Sequence, residues 1–207
     1  MGRQMNKMKT ILYGMANRPY IPEYLTGKKQ RFILHISDTP VEIYRFIYRV
    51  IEAVRPVDII HTGDAADNYK IEFQDYYREN YREAVTDFFK TMNSISGANI
   101  HMTMGNHDDE AILRDILPDQ PLKDRFLQLH GKPFYIMHEM DDPPAQPGFY
   151  CFGHKFEPVH EENENYTLLN GILNINVIDI HDWHVYHLEY PPGTNGYRKM
   201  TNGRIRL

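Results

Sequence analysis

From Arg31 onward the chain alternates short apolar runs with amphipathic stretches. Phe32–Ser37 is an apolar run that stops at Asp38, which predicts a buried strand. Val41–Val54 places Ile43, Phe46, Ile47, Val50, Ile51 and Val54 at helical spacing, and Pro56 ends that helix. Val57–Thr62 predicts a second buried strand, closing on Gly63-Asp64. A long helix follows at about Ile71–Ile95, with Phe73, Tyr77, Tyr81, Ala84, Phe88 and Met92 as its buried stripe. Asn99–Met104 predicts a third strand, closing on Gly105-Asn106-His107-Asp108. Strand, helix, strand, helix, strand is the pattern of an α/β sheet with right-handed crossovers.

The second half changes character. Phe134–His138, Phe149–Gly153, Tyr166–Leu169, Leu173–Ile178 and Trp183–Leu188 read as short strands, separated in places by turn-rich segments such as Asp141–Gly148. An α/β half followed by a β-rich half predicts two packed sheets flanked by helices. Residues 1–30 are poorly patterned and locally basic, with Arg3, Lys7, Lys9, Arg18, Lys28 and Lys29 against Glu23 alone. They are expected to form an arm packed on or extending from the domain, with a short strand at Lys9–Tyr13. An anion- or partner-binding arm is the alternative. The domain itself is placed at residues 31–190, and residues 191–207 are expected as a C-terminal tail, either a hairpin or loose.

Composition narrows the class. The chain has 207 residues, enough for one domain with a real core, with 42% hydrophobic and 25% charged residues. A net charge of −5 argues against a general nucleic-acid binder. One cysteine, Cys151, excludes an internal disulfide framework and fits a reducing compartment. No apolar run approaches the roughly 18–20 residues that span a bilayer. The N-terminus lacks the apolar core of a signal peptide, so a cytoplasmic location is expected. Histidine is abundant, at 11 residues, and points towards metal chemistry.

The polar residues gather at predicted strand ends: Ser37-Asp38-Thr39, Gly63-Asp64-Ala65-Ala66-Asp67, Gly105-Asn106-His107-Asp108, His138, and Gly153-His154. Ligands of α/β sheets collect at the carboxyl ends of strands, so these clusters can converge. Asp, Asn and His donors suit Mn²⁺, Fe, Zn²⁺ or Mg²⁺ rather than a thiolate site. Gly between strand and donor lets the backbone turn tightly beside an ion. His35, His61 and His101 fall inside strands and read as packing residues. His181, His184 and His187, around Trp183, read as a solvated or core cluster rather than a metal site.

The ordered series resembles the motifs of the calcineurin-like metallophosphoesterases: Asp-x-His, Gly-Asp-x-x-Asp/Asn, Gly-Asn-His-Asp/Glu, a lone His, and Gly-His-x-His. The resemblance runs from about Phe32 to Leu188, with Gly-Asn-His-Asp its most specific block. It implies a four-layer αββα sandwich of two mixed β-sheets flanked by helices. It also implies two neighbouring metal ions bridged by Asp64. Asn106, His138 and His154 would complete one site, and Asp38 would belong to the other. His107 would contact the phosphate and protonate the leaving oxygen, with Asp108 orienting its ring. Asp67 would brace the loop by hydrogen bonding.

This chain departs from the family at two positions. Pro40 stands where Asp-x-His has its histidine, and Phe156 where Gly-His-x-His has its last. Neither side chain has a lone pair for a metal. One tightly bound divalent ion is therefore expected, Mn²⁺ first among the compatible metals, with the second weak or missing. The damaged site is expected to be empty, to hold a water-rich ion such as Mg²⁺, or to recruit Glu42, Glu157 or His160. The implied function is hydrolysis of a phosphomonoester or phosphodiester by direct attack of a metal-bound hydroxide. The alternative is a catalytically weak or inactive scaffold that keeps the fold and one ion. A nuclease reading lacks a basic groove, so nucleic acid is not expected as a partner, nor is a membrane; the oligomeric state is left open.

Overall fold

A computed structural model of the chain describes residues 9, 12–27, 31–70 and 75–199. Ten strands are formed: β1 (Phe32–Ile36), β2 (Asp58–His61), β3 (Asn99–Met102), β4 (Arg125–Leu129), β5 (Lys132–Ile136), β6 (Gly148–Phe152), β7 (Glu161–Glu162), β8 (Tyr166–Asn170), β9 (Ile175–Asp179) and β10 (Val185–Leu188). Besides a helical stretch at residues 12–15, the described residues form the α-helices α1 (Tyr44–Val54), α2 (Arg78–Ser96), α3 (Glu110–Ile116) and the single turn α4 (Thr194–Tyr197).

The strands build two five-stranded sheets, ordered β10-β9-β1-β2-β3 and β4-β5-β6-β8-β7. Both are mixed. In the first, β1, β2 and β3 run parallel while β9 and β10 pair antiparallel. In the second, β5, β6 and β8 run parallel and the edge strands β4 and β7 are antiparallel. The expected sandwich of two mixed sheets with helices is thus what forms.

Period-two alternation explains the layering. In β1, Phe32, Leu34 and Ile36 face the helices, whereas Ile33 faces the second sheet. On the helix side they meet Phe46, Ile47, Val50 and Ile51 of α1 and Tyr81, Val85, Phe88 and Met92 of α2. Between the sheets lie Ile33, Ile60, Phe134, Ile136, Phe149, Cys151, Leu169 and Ile178. Each large apolar side chain buried in these layers stabilises the fold by about 1.5–3 kcal/mol. Polar residues on the inter-sheet face are paired: the Asn176 side chain lies 3.0 Å from His35 Nδ1, and His35 Nε2 lies 3.1 Å from the Thr62 hydroxyl. His35 and His61 are buried packing residues as expected; burial holds the His61 pKa down to about 3.

Several elements depart from the sequence reading. Helix α2 buries Val85 and Phe89 beside Tyr81, Phe88 and Met92, so its stripe is shifted from Ala84; Phe73 lies outside the described residues. Helix α3 is too short for a readable period and is set by its cap, where the Asp109 carboxylate accepts from the Ile112 N–H. Strand β4 is an edge strand that is at most half-buried, so its apolar signal is weak. Residues 12–15 are helical rather than part of a strand, and Leu25 is fully buried in the first core. The C-terminal segment is neither hairpin nor loose through residue 199: it forms α4 and carries the fully buried Arg198. Residues 200–207 lie outside the described range. Among the described residues no helix is long and apolar enough to cross a membrane.

The carboxyl ends of the parallel strands β1, β2, β3, β5 and β6 carry the loops that hold Asp38, Asp64, Asn106–Asp108, His138 and His154. That shared polarity brings five sequence-distant clusters into one place.

Candidate metal centre

The predicted donors do converge. His138 Nδ1 lies 2.7 Å from the Thr62 carbonyl, which can only accept, so Nδ1 carries the hydrogen and Nε2 presents a lone pair. Around that Nε2 stand Asn106 Oδ1 at 3.0 Å, His154 Nδ1 at 3.1 Å and Asp64 Oδ2 at 3.5 Å. Asn106 Oδ1 and Asp64 Oδ2 can only accept, so with His138 Nε2 they turn lone pairs towards one another, an arrangement that a cation resolves. His154 Nδ1 joins them in the tautomer that carries its hydrogen on Nε2, 3.6 Å from the Glu139 carboxylate. The Thr62 carbonyl behind His138 is the kind of partner that fixes a ligating imidazole. Burial and the neighbouring His138 lower the His154 pKa, keeping that ring neutral and able to ligate. These residues fit a divalent ion with mixed N and O donors.

Asp64 sits at the middle. Its Oδ1 accepts from the His107 N–H at 2.9 Å, while Oδ2 faces His138. Burial first, then the charges of Asp38, Asp108 and Asp67, raises its pKa well above the ordinary carboxylate value. A bound cation offsets that cost. Asp38, Asp64 and His154 all adopt left-handed backbone, with φ of 49°, 58° and 67°. Such strain in non-glycine residues persists only where surrounding contacts over-determine it. The close packing is visible at two glycines. A Cβ on Gly105 would lie 2.1 Å from Asp64 Oδ1, and one on Gly153 would lie 1.9 Å from Ser37 Oγ. Both loops therefore require glycine.

Asp108 corrects an expectation. Its carboxylate does not orient the His107 ring. It accepts from the N–H groups of Asp64 (2.7 Å), Ala65 (2.9 Å) and Gly105 (2.9 Å), and from the Tyr81 hydroxyl (2.7 Å). It is a tie between the β2 and β3 loops, anchored on α2. The Asp108 side chain thus points inward, to backbone N–H groups and Tyr81. The Asn106 amide instead lies 3.1–3.2 Å from the His107 ring nitrogens.

The other flank of Asp64 is differently built. Asp38 Oδ2 accepts from Ser37 Oγ at 2.5 Å and from the His154 N–H at 3.1 Å. A cavity of about 350 Å³ opens there, lined by Asp38, Asp64, Asp67, Lys70, His107, His154, Arg198 and Lys199. Pro40 and Phe156 are not among its walls, and neither are Glu42, Glu157 or His160. His160 is engaged elsewhere, stacking on His187 and meeting Asn174 and the Asn170 N–H. Asp64, Asp67 and His107 also place one donor atom each within 4.8 Å of one another. However, Asp67 Oδ1 already holds the Lys70 ammonium. Burial, then the charge of Asp38, lifts the Asp67 pKa to about 6.

Two residues here escaped the sequence reading. Arg198 is fully buried, stacks on Tyr190, and donates to the carbonyls of Asp38 (2.7 Å), Ile172 (2.8 Å) and Ser37 (3.2 Å) and to the Asn195 side chain. It holds the Asp38 loop from below. Lys70 follows the Gly63–Asp67 cluster by three residues. Neither belongs to a strand-end motif.

The calcineurin-like phosphoesterase family profile matches residues 33–200. This chain belongs to that family. Among solved structures, one described as "Structural and biochemical characterization of Yfce, a phosphoesterase from E. coli" superposes with a TM-score of 0.52 at 12% identity. The match covers 77% of this chain and 99% of that one, and it speaks for the shared fold. A protein of unknown function from Aquifex aeolicus, AQ665, is similar at a TM-score of 0.36 and 12% identity, covering 68% and 89% of the two chains. No curated protein matches the sequence. Membership of this family brings general metal-dependent phosphoesterase chemistry with it. Pro40 and Phe156 stand at two sequence positions where the family motifs have histidine, and neither lines the cavity beside Asp64.

Proposed function

We propose that the protein hydrolyses a phosphomonoester or phosphodiester with one tightly held divalent ion, Mn²⁺ being the first candidate. The observation that carries this reading is the set of lone pairs facing His138 Nε2 from Asn106, His154 and Asp64. An ion held there supplies Lewis acidity to a phosphoryl oxygen and lowers the pKa of a water. The chain's own residues do the rest. Asp64, Asn106, His138 and His154 fix the ion's place. Asp108 and Arg198 hold the donor loops rigid from behind, which limits reorganisation during reaction. His107 lines the cavity beside Asp38 and Asp64, where an imidazole can hold a proton for the departing alcohol oxygen.

The test is hydrolysis of a generic aryl phosphodiester and monoester by the Mn²⁺-loaded protein. Activity should require the ion. His107→Ala should lower kcat by about 10²-fold or more while the bound-metal content stays unchanged. Activity unaffected by that substitution would remove His107 from the mechanism. Full metal binding without hydrolysis of either ester would support a non-catalytic scaffold instead.

A further inference from the structure

The damaged flank of the site is not simply vacant of charge. Its cavity brings Lys70, Arg198 and Lys199 to the same walls as Asp38, Asp64 and His107. These three cations differ in what they are free to do. Arg198 is spent: three carbonyls and the Asn195 amide take up its guanidinium inside the fold. Lys199 reaches back to the Asn68 carbonyl at 3.1 Å on the rim. Lys70 is the one whose charge is held beside the donors. Its ammonium is paired with the Asp67 carboxylate, its side chain is 19% exposed, and Asp67 is 1% exposed. Asp67 Oδ2 has no hydrogen-bond partner among the described residues. One acceptor thus grips the ammonium, which carries three donors and keeps the others for a ligand.

We infer that Lys70 replaces the second metal ion of this site: its ammonium binds a non-bridging oxygen of the substrate phosphoryl group, while Asp64, Asn106, His138 and His154 would hold the one ion. This deepens the phosphoesterase reading and rests on it. Three features agree. The residues nearest Pro40 and Phe156 along the chain that could donate to a metal, Glu42, Glu157 and His160, are not among the described residues that line the cavity. An ammonium fixed on Asp67 opposes a second dication at the Asp64–Asp67–His107 donor set by like-charge repulsion. The cavity also sets three carboxylates, Asp38, Asp64 and Asp67, against an incoming phosphate, and a fixed cation is needed to offset them. Lysine serves as a point-charge phosphate ligand, and a desolvated charge-assisted hydrogen bond is about twice as strong as a neutral one.

The experiment measures inorganic phosphate binding by calorimetry to the Mn²⁺-loaded full-length protein, with metal content determined on the same samples. Wild type should bind phosphate and one ion. Lys70→Met should keep the ion and weaken phosphate binding by about tenfold or more. Lys70→Arg should retain most of the affinity, and Lys199→Met should change it by less than about threefold. Phosphate affinity in Lys70→Met equal to wild type, with one ion bound, overturns the role of Lys70 and leaves the phosphoesterase reading standing. Two tightly bound ions in wild type overturn it as well, because the second position is then filled by metal. Wild type that binds neither Mn²⁺ nor phosphate overturns both readings together.

Discussion

The two flanks of Asp64 share a backbone scaffold and differ in their chemistry. On one flank Asn106, His138 and His154 turn lone pairs towards a common point, with Asp64 beside them. On the other, Asp38 and Asp67 bring carboxylates, and Lys70, Arg198 and Lys199 line the space with them. The loop geometry is alike on both: Asp38 adopts left-handed backbone just as Asp64 and His154 do. On the inference drawn for Lys70, the difference teaches that a fold can hold a site's framework while changing the source of its positive charge. An ion needs several well-placed donors. An ammonium needs only one carboxylate to grip it.

The comparison breaks most visibly at His138. His138→Ala removes the lone pair at the centre of the donor set, so bound Mn²⁺ should fall to near zero. Ester hydrolysis should drop by about three orders of magnitude, the several kcal/mol that an ion contributes. Metal analysis and initial rates check both. Retention of the ion would place it on the other flank.

A smaller effect separates framework from chemistry on the altered flank. Arg198→Met leaves the buried carbonyls of Ser37, Asp38 and Ile172 without their donor. Each buried acceptor left unsatisfied costs about 1–3 kcal/mol, so the three carbonyls together cost about 3–5 kcal/mol at the lower end of that range. At roughly 2–4 °C per kcal/mol for a chain of this size, the thermal midpoint should fall by about 6–20 °C. A midpoint within about 2 °C of wild type would show that the Asp38 loop does not depend on Arg198.

The smallest effect lies away from both flanks. Burial first, then the nearby His160 and His184, holds the His187 pKa down to about 4. A histidine with a depressed folded pKa binds fewer protons folded than unfolded. Its contribution is therefore intact above the unfolded value of about 6.5 and is lost as pH falls towards 4. Denaturant unfolding between pH 7 and pH 4 should show declining stability, with a shallower decline in His187→Asn. An identical pH slope in that variant would remove His187 from the acid sensitivity.

How much of this was legible in the sequence differs between the flanks. The strand-end clusters reported the fold well, because strand polarity maps short motifs onto one edge of the sheets. Asp64, Asn106, His138 and His154 all meet where that logic puts them. The reading failed where sequence adjacency stood in for contact. Asp108 follows His107 yet turns inward to the Asp64, Ala65 and Gly105 N–H groups. It failed again where distance hid contact: Arg198 meets Asp38 across 160 positions, from a segment with no periodic pattern. Glu42, Glu157 and His160 lie near the lost donors along the chain but not at the cavity, while Lys70 lies at the cavity with no motif to mark it.

The central claim proposed is that one flank takes a single ion and the other uses the Lys70 ammonium. The most direct measurement is metal content per chain, by mass spectrometry, after equilibration with Mn²⁺ and removal of weakly bound metal. One ion per chain, lost in His138→Ala and kept in Lys70→Met, is the predicted result. Two tightly bound ions in wild type, or one ion that survives His138→Ala, would contradict it.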